Sequence, residues 1–296
     1  MLKGYTKQEI SWMMYDWANS AHSVIIVTLL PIFFDTVAGY TADSVSSMST
    51  WGYATSIAML IVALAAPFLG VFGDIRGMRK KLFSFFMLLG VAACAGMAFT
   101  PGMDFTSGPV AAGKVASLIL VLYIVSVIGF DASAIYYDAF LTDVTTEDRM
   151  DKVSTMGYGL GYIGGSTIPL LIFLIMNLVG VPMLTCLAFV FGLTAVWWLA
   201  FSLPLLKNCE QTSGKPYEKG DVARSIKGVG TTIKEIIANK PMLIYILSYF
   251  FYIDGVHTVI SMATTYGTNL GLDSTGMMLA LLLVQILGLP FCLLYI

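Results

Sequence analysis

Eight apolar blocks, most of them about 20 residues or longer and separated by polar loops, limit this chain more than any other feature. A block of that length carries a helix across ~30 Å of hydrocarbon at 1.5 Å per residue. The blocks fall at about residues 10–34, 51–73, 82–100, 114–140, 153–177, 182–206, 242–266 and 275–296. They seldom alternate with period two, so barrel strands are excluded and the fold class is an all-α membrane protein. Composition agrees. Of 296 residues, 57% are hydrophobic and 11% charged, against roughly 25% charged in a soluble domain.

The loops test the span count. With the N-terminus placed in the cytoplasm, Lys3, Lys7, Arg76, Arg79, Lys80, Lys81, Arg149, Lys152 and every basic residue from Lys207 to Lys240 lie inside, leaving Lys114 alone outside. This alternation follows the positive-inside rule and would collapse if a span were missed. A net charge of −2 gives no basis for a nucleic-acid partner. Cys94, Cys186, Cys209 and Cys292 are scattered without a C-x-x-C pair, so neither a disulfide framework nor a metal site is expected, and no cofactor is implied. The first block contains Asp16 and lacks a small-residue cleavage site, which reads as a retained span and not a signal peptide.

Thr6 and Glu9 have the spacing of a capping box opening the first helix. The polar stretch 207–241 divides the chain into a six-span half, 1–206, a linker, and two further spans, 242–296. Within the linker, Val222, Ile226, Val229, Ile233 and Ile237 recur at helical spacing with Arg224, Lys227 and Lys234 elsewhere on the wheel. That pattern predicts an amphipathic helix along the inner membrane surface, ended by Pro241. Six spans, a basic loop and further spans suggest a transporter of two related halves, whose seventh span should echo its first. Asp16-x-x-Asn19-Ser20-x-x-Ser23 and Asp254-x-x-His257-Thr258-x-x-Ser261 share their polar spacing, although a second register pairs His22-Ser23 with His257-Thr258.

On the first span, Asp16, Asn19, Ser20 and Ser23 fall within roughly a third of the helical wheel, with His22 beside them. A charge near the bilayer centre costs at least ~2.5 to 3.5 kcal/mol, so this face is expected to look onto a water-filled cavity. Asp254 and His257 sit at matching depth, and His22, Asp254 and His257 are expected to share that cavity, where carboxylate and imidazole suit proton uptake and release. Span four adds Asp131, deeply placed, and Asp138, with Tyr136 and Tyr137. The structural alternatives stay open: Asp16 as a hydrogen-bonding group between helices, and each histidine as an interhelical contact worth ~0.6 kcal/mol. Tyr162 is a further candidate solute contact. Asp143, Glu147, Asp148 and Asp151 read as a surface charge network around Arg149 and Lys152, and Trp197 and Trp198 as interfacial anchors. Gly159-x-Gly161-x-x-Gly164 has the form of a dinucleotide fingerprint, but no strand precedes it, so close helix packing is expected instead.

Gly70-x-x-x-Asp74-Ile75-Arg76-Gly77-Met78-Arg79-Lys80 resembles the loop signature of the major facilitator superfamily, with Ile75 and Met78 departing from it. Gly70 is expected to admit a neighbouring helix, Asp74 to end a helix at the water interface, Gly77 to permit a turn, and Arg79 and Lys80 to hold the loop inside, and the signature suggests a gate element locked by ionic contacts that break during rocking. The stretches "YDWANSA", "YYDAFLTDV", "GYGLGYIGG" and "YFFYIDGVHTV" resemble the vacuolar-effluxer-like branch of that superfamily. The resemblance implies a major-facilitator-type helical bundle, here a six-helix half plus the first two helices of a second half. It further implies alternating access and export of a small solute such as an amino acid, with protons as the expected coupling partner. The bilayer around it is expected to be the cell membrane, with the vacuolar membrane as alternative. Twelve spans are usual in the superfamily, so a truncated chain is expected, without the usual partner of Asp74. No phosphate loop and no H-E-x-x-H motif point to an enzyme. The rival readings are a non-transporting receptor or scaffold, or a transporter fragment without activity.

Overall fold

The computed structural model describes residues 2–41, 47–216 and 221–295, apart from the side chains of 221–226, Ser274 and Tyr295. The chain is helical: α1 (Lys7–Ala38), α2 (Ser47–Gly73), α3 (Arg79–Met97), α4 (Pro109–Val144), α5 (Met150–Leu160), α6 (Ile168–Leu178), α7 (Met183–Asn208), α8 (Asp221–Ala238), α9 (Lys240–Asn269) and α10 (Ser274–Tyr295). A π-helical turn, Gly161–Thr167, joins α5 to α6, so the two form one long rod. Among the described residues, eight helical segments are long and apolar enough to cross a membrane, at the eight positions expected.

Helix α1 begins with the expected capping box: Glu9 N donates to Thr6 Oγ1 at 3.1 Å and Thr6 N to Glu9 Oε2 at 2.7 Å. Glu9 also receives Arg149 Nε at 2.8 Å and Thr145 Oγ1 at 2.7 Å, which fastens the start of α1 to the α4–α5 junction. From there α1 runs through the middle of the bundle, packed on α4, α5, the π turn and α7. Small residues set these approaches. A Cβ at Gly129 of α4 would lie 2.5 Å from Gly90 N of α3, so the two backbones touch. On the π turn, a Cβ at Gly161, Gly164 or Gly165 would collide with Ser20, Trp17 or the Trp17 carbonyl of α1. The fingerprint-like glycines therefore serve helix packing, except that Gly159 turns the other way, toward Leu289 and Cys292 of α10. A widened turn at a glycine run lets α5 hug the bulky indole of α1.

Three expectations need correcting. Gly70 admits no neighbour, since a Cβ there would meet nothing within 4 Å; Gly73 does, with the Tyr136 ring 3.0 Å away. Pro241 does not end the amphipathic helix. That helix stops at Ala238, and Pro241 lies in the first turn of α9, where its missing N–H is harmless, behind Asn239 whose side chain caps Met242 N at 3.2 Å. Trp197 and Trp198 are not interfacial anchors: they stand about 15 Å along α7 from its end and their indoles are engaged by α1. Trp198 is fully buried with its Nε1 3.3 Å from Tyr15 Oη, and Trp197 Nε1 donates to the Trp17 carbonyl at 2.9 Å.

On α8, Ile233 and Ile237 of the apolar stripe are exposed on the protein surface, while the side chains of Val222 and Ile226 lie outside the described residues.

Candidate functional site

The polar face of α1 is turned into the bundle and not onto water. Asp16, Asn19 and His22 retain 7%, 7% and 3% of their surface. Tyr137 Oη donates to Asp16 Oδ2 at 2.7 Å, and the same carboxylate lies against Gly157 of α5. Ser23 Oγ donates to the Ser20 carbonyl at 3.1 Å. His22 is stacked on Phe130 at 4.8 Å and packs against Trp198 at 5.1 Å, with neither ring nitrogen hydrogen-bonded. The expected sharing of one cavity by His22, Asp254 and His257 is therefore corrected: His22 is enclosed by α4 and α7. The reason is that Phe130 of α4 and Trp198 of α7 close over the imidazole. Asp131 on α4 is half-buried and its Oδ2 has no partner among the described residues, whereas Asp138 is exposed.

Asp254 and His257 occupy a different setting. Both are exposed on α9. Asp254, 14 residues beyond Lys240, stands about 21 Å along its helix, near mid-bilayer depth. Asp254, His257, Thr258 and Ser261 follow the i, i+3, i+4, i+7 pattern of one helical face. Thr258 and Ser261 of that face line a cleft of about 400 Å³ opposite Ser49, Tyr53, Thr55 and Ser56 of α2. Thr55 Oγ1 is 3.0 Å from Tyr123 Oη, which ties the cleft wall to α4. Ser49, Tyr53 and Ser56 have spacing i, i+4, i+7, a polar stripe on span two that the sequence carries but whose partner lies some 200 residues away. Farther along, Thr264 Oγ1 donates to the Val27 carbonyl of α1 at 2.9 Å, closing α9 onto α1.

At the basic end, the loop after α2 is an ordered assembly. Asp74 is exposed, Gly77 takes φ +81°, and Arg79 is buried with its guanidinium paired to the fully buried carboxylate of Asp143. Arg79 Nη1 also donates to the Ala139 carbonyl at 2.9 Å. Asp143 thus belongs with the loop between α2 and α3 and not to a surface network, because α4 delivers it beneath the start of α3. Arg149, assigned to the same network, pairs with Glu9. Lys80 lines a cleft of about 590 Å³ with Arg76, Lys81, Ser84, Glu210 and Gln211, three cations facing one carboxylate.

A cleft between helices edged by hydroxyl groups, in a bundle of eight spans with a charge-locked loop, is the anatomy of a membrane transporter. The model of a family described as Vacuole effluxer Atg22 like matches residues 39–291. The chain belongs to this family. It is also 39% identical over 303 aligned residues, all of this chain and 68% of the relative, to a protein of Bacillus subtilis (strain 168) named as an uncharacterized MFS-type transporter, YxiO. Autophagy-related protein 22-1 of Penicillium rubens is 26% identical over 148 residues, and that of Aspergillus niger 26% over 147, each match spanning 46% of this chain and about a quarter of the fungal protein. Family membership makes this a multi-pass membrane transporter of the major facilitator type and not an enzyme.

Proposed function

We propose that this transporter exports a small polar solute, such as an amino acid, in exchange for protons, by alternating access between α9 and the six-helix half 1–206. The observation that carries this reading is the α9 face bearing Asp254, His257, Thr258 and Ser261, whose outer part lines the hydroxyl-rich cleft against α2. The hydroxyls of Ser49, Ser56, Thr258 and Ser261 offer hydrogen bonds to a solute that leaves its hydration shell. Asp254 offers a carboxylate for a cationic amino group. That same carboxylate accepts a proton, with the imidazole of His257 one turn away.

Proton and solute compete for Asp254, and this competition is the coupling: a proton taken from the acidic side displaces the solute, and its loss on the other side readies the site. Asp131 and Tyr162 are secondary solute contacts. Asp16 and His22 act by holding α1 in the bundle, where the Tyr137 hydroxyl meets the Asp16 carboxylate. The N-terminus lies in the cytoplasm, the surrounding bilayer is the cell membrane, and α8 rests on its inner face, with Ile233 and Ile237 in the lipid.

The test is Asp254→Asn in proteoliposomes carrying a pH gradient. Gradient-driven accumulation of labelled amino acid should fall to the level seen without a gradient, while solute exchange at equal pH persists through the hydroxyl contacts with a raised half-saturating concentration. Accumulation that still follows the gradient in the variant would remove Asp254 from the coupling.

A further inference from the structure

Directly after α7 the chain does not leave the bundle. Residues 211–215 lie across the loop between α2 and α3 and bond to it and to Asp143 of α4. Gln211 Oε1 accepts from Gly77 N at 2.8 Å and Arg79 N at 3.3 Å, capping the start of α3, while Gln211 Nε2 donates to the Gly73 carbonyl at 3.0 Å, at the end of α2. Thr212 N, Thr212 Oγ1 and Ser213 N all donate to Asp143 Oδ1, at 3.1, 2.8 and 2.9 Å. Arg79 Nη1 reaches Ser213 Oγ at 3.2 Å. Lys215 then pairs with the loop as a strand would: Lys215 N donates to the Asp74 carbonyl at 3.1 Å and Arg76 N to the Lys215 carbonyl at 3.0 Å.

The buried ion pair needs this cover. A carboxylate out of water must have its lone pairs occupied, and on Asp143 Arg79 takes one oxygen while the strap takes the other. Yet Thr212 to Pro216 are themselves exposed and bring no apolar anchor. A segment whose own residues are exposed, and which is held by hydrogen bonds without apolar burial, opens at lower cost than the helices beneath it. We infer that residues 211–215 form a releasable clasp: docked, it seals the Arg79–Asp143 lock; lifted, it admits water to the pair and frees the start of α3, so that the linker between the two halves operates the gate. This rests on reading the loop around Gly77 as a moving gate.

Cys209, at the root of the clasp, is a built-in reporter. It is fully buried, its Sγ lies 3.6 Å from the Gln8 carbonyl, and burial pushes its thiol up to about 12. The experiment uses the full chain in phospholipid nanodiscs with Cys94, Cys186 and Cys292 replaced by Ala, and follows maleimide labelling of Cys209 at neutral pH. Gly214→Val acts on the clasp alone: Gly214 has φ +115°, and a Cβ there would stand 2.7 Å from the Asp74 carbonyl oxygen. Labelling in Gly214→Val and in Gln211→Ala should accelerate about tenfold or more, and amide exchange at Gly77 and Arg79 should accelerate with it. Should Gln211→Ala fail to fold, Gly214→Val decides by itself, since it alters an exposed residue outside the bundle. Labelling and exchange at the parent rate in Gly214→Val would overturn the clasp. Neither readout depends on solute flux, so a failure of the proposed transport activity and a failure of the clasp are read separately.

Discussion

The basic end of the bundle and the α1–α2–α9 seam at its opposite end are closed in contrasting ways. At the basic end, Arg79–Asp143 and Arg149–Glu9 are buried or half-buried ion pairs whose carboxylates are satisfied by several donors. At the seam, Thr264 makes one hydrogen bond to α1, while Trp51 Nε1 and Thr265 Oγ1 are buried with no partner among the described residues. Each such orphan costs about 1 to 3 kcal/mol. The difference teaches where motion belongs. The six-helix half keeps groups of its own, His22 and Asp131, that lack a partner among the described residues, but its basic end is tied by several charged hydrogen bonds, whereas α9 meets it across a joint that gains hydrogen bonds when it opens to water.

The comparison breaks most readily at the ion pair. Asp143→Ala leaves a buried guanidinium uncompensated and should cost about 3 to 5 kcal/mol, read as a fall in thermal unfolding midpoint in detergent. A loss below 1 kcal/mol would mean the basic end is no more tightly held than the seam. Gly129→Ala comes next. Its new methyl would press on the Gly90 backbone and Phe86 carbonyl of α3, costing about 1 to 3 kcal/mol by overpacking.

Two tryptophans then sharpen the contrast. Trp12 Nε1 donates to the Tyr137 carbonyl at 2.9 Å, so Trp12→Phe should cost about 1 kcal/mol beyond its loss of ring volume. Trp51→Phe removes a donor that is already unpaired, and the relief should offset its packing loss; equal destabilisation of the two variants by denaturation would contradict the proposed difference. The smallest effect is expected on α9, where Gly255 has open space around it. Gly255→Ala should raise stability by about 0.5 to 1 kcal/mol through helix propensity alone.

Much of this was legible in the sequence for a physical reason. Eight apolar blocks fix eight spans because the bilayer tolerates no other way of burying a backbone. The capping box at Thr6 and Glu9 is local, and so was readable. The failures share a cause as well. Whether Asp16 faces water or protein depends on Gly157, on another span, and whether Arg79 has a partner depends on Asp143, on another helix. A helical wheel gives the polarity of a face but not what is packed on it. The clasp was invisible because "EQTSGK" has the composition of any loose loop, and its order comes from carbonyls and amides that a sequence does not distinguish. The α9 face was readable from its spacing, and the structure adds the α2 hydroxyls opposite it.

The central claim is that α9 moves against a six-helix half whose membrane-embedded helix packing holds, the clasp freeing only the loop and first turn at the start of α3. Spin labels at Ile57 of α2 and Val259 of α9, both exposed, test it by pulsed electron resonance in proteoliposomes, with Phe85 of α3 and Val196 of α7 as the pair inside the six-helix half. The account predicts an α2–α9 distance distribution that shifts between acidic and neutral pH, beside an α3–α7 distribution that stays narrow and fixed. An unmoved α2–α9 distance, or an α3–α7 distance that shifts as much, would contradict it.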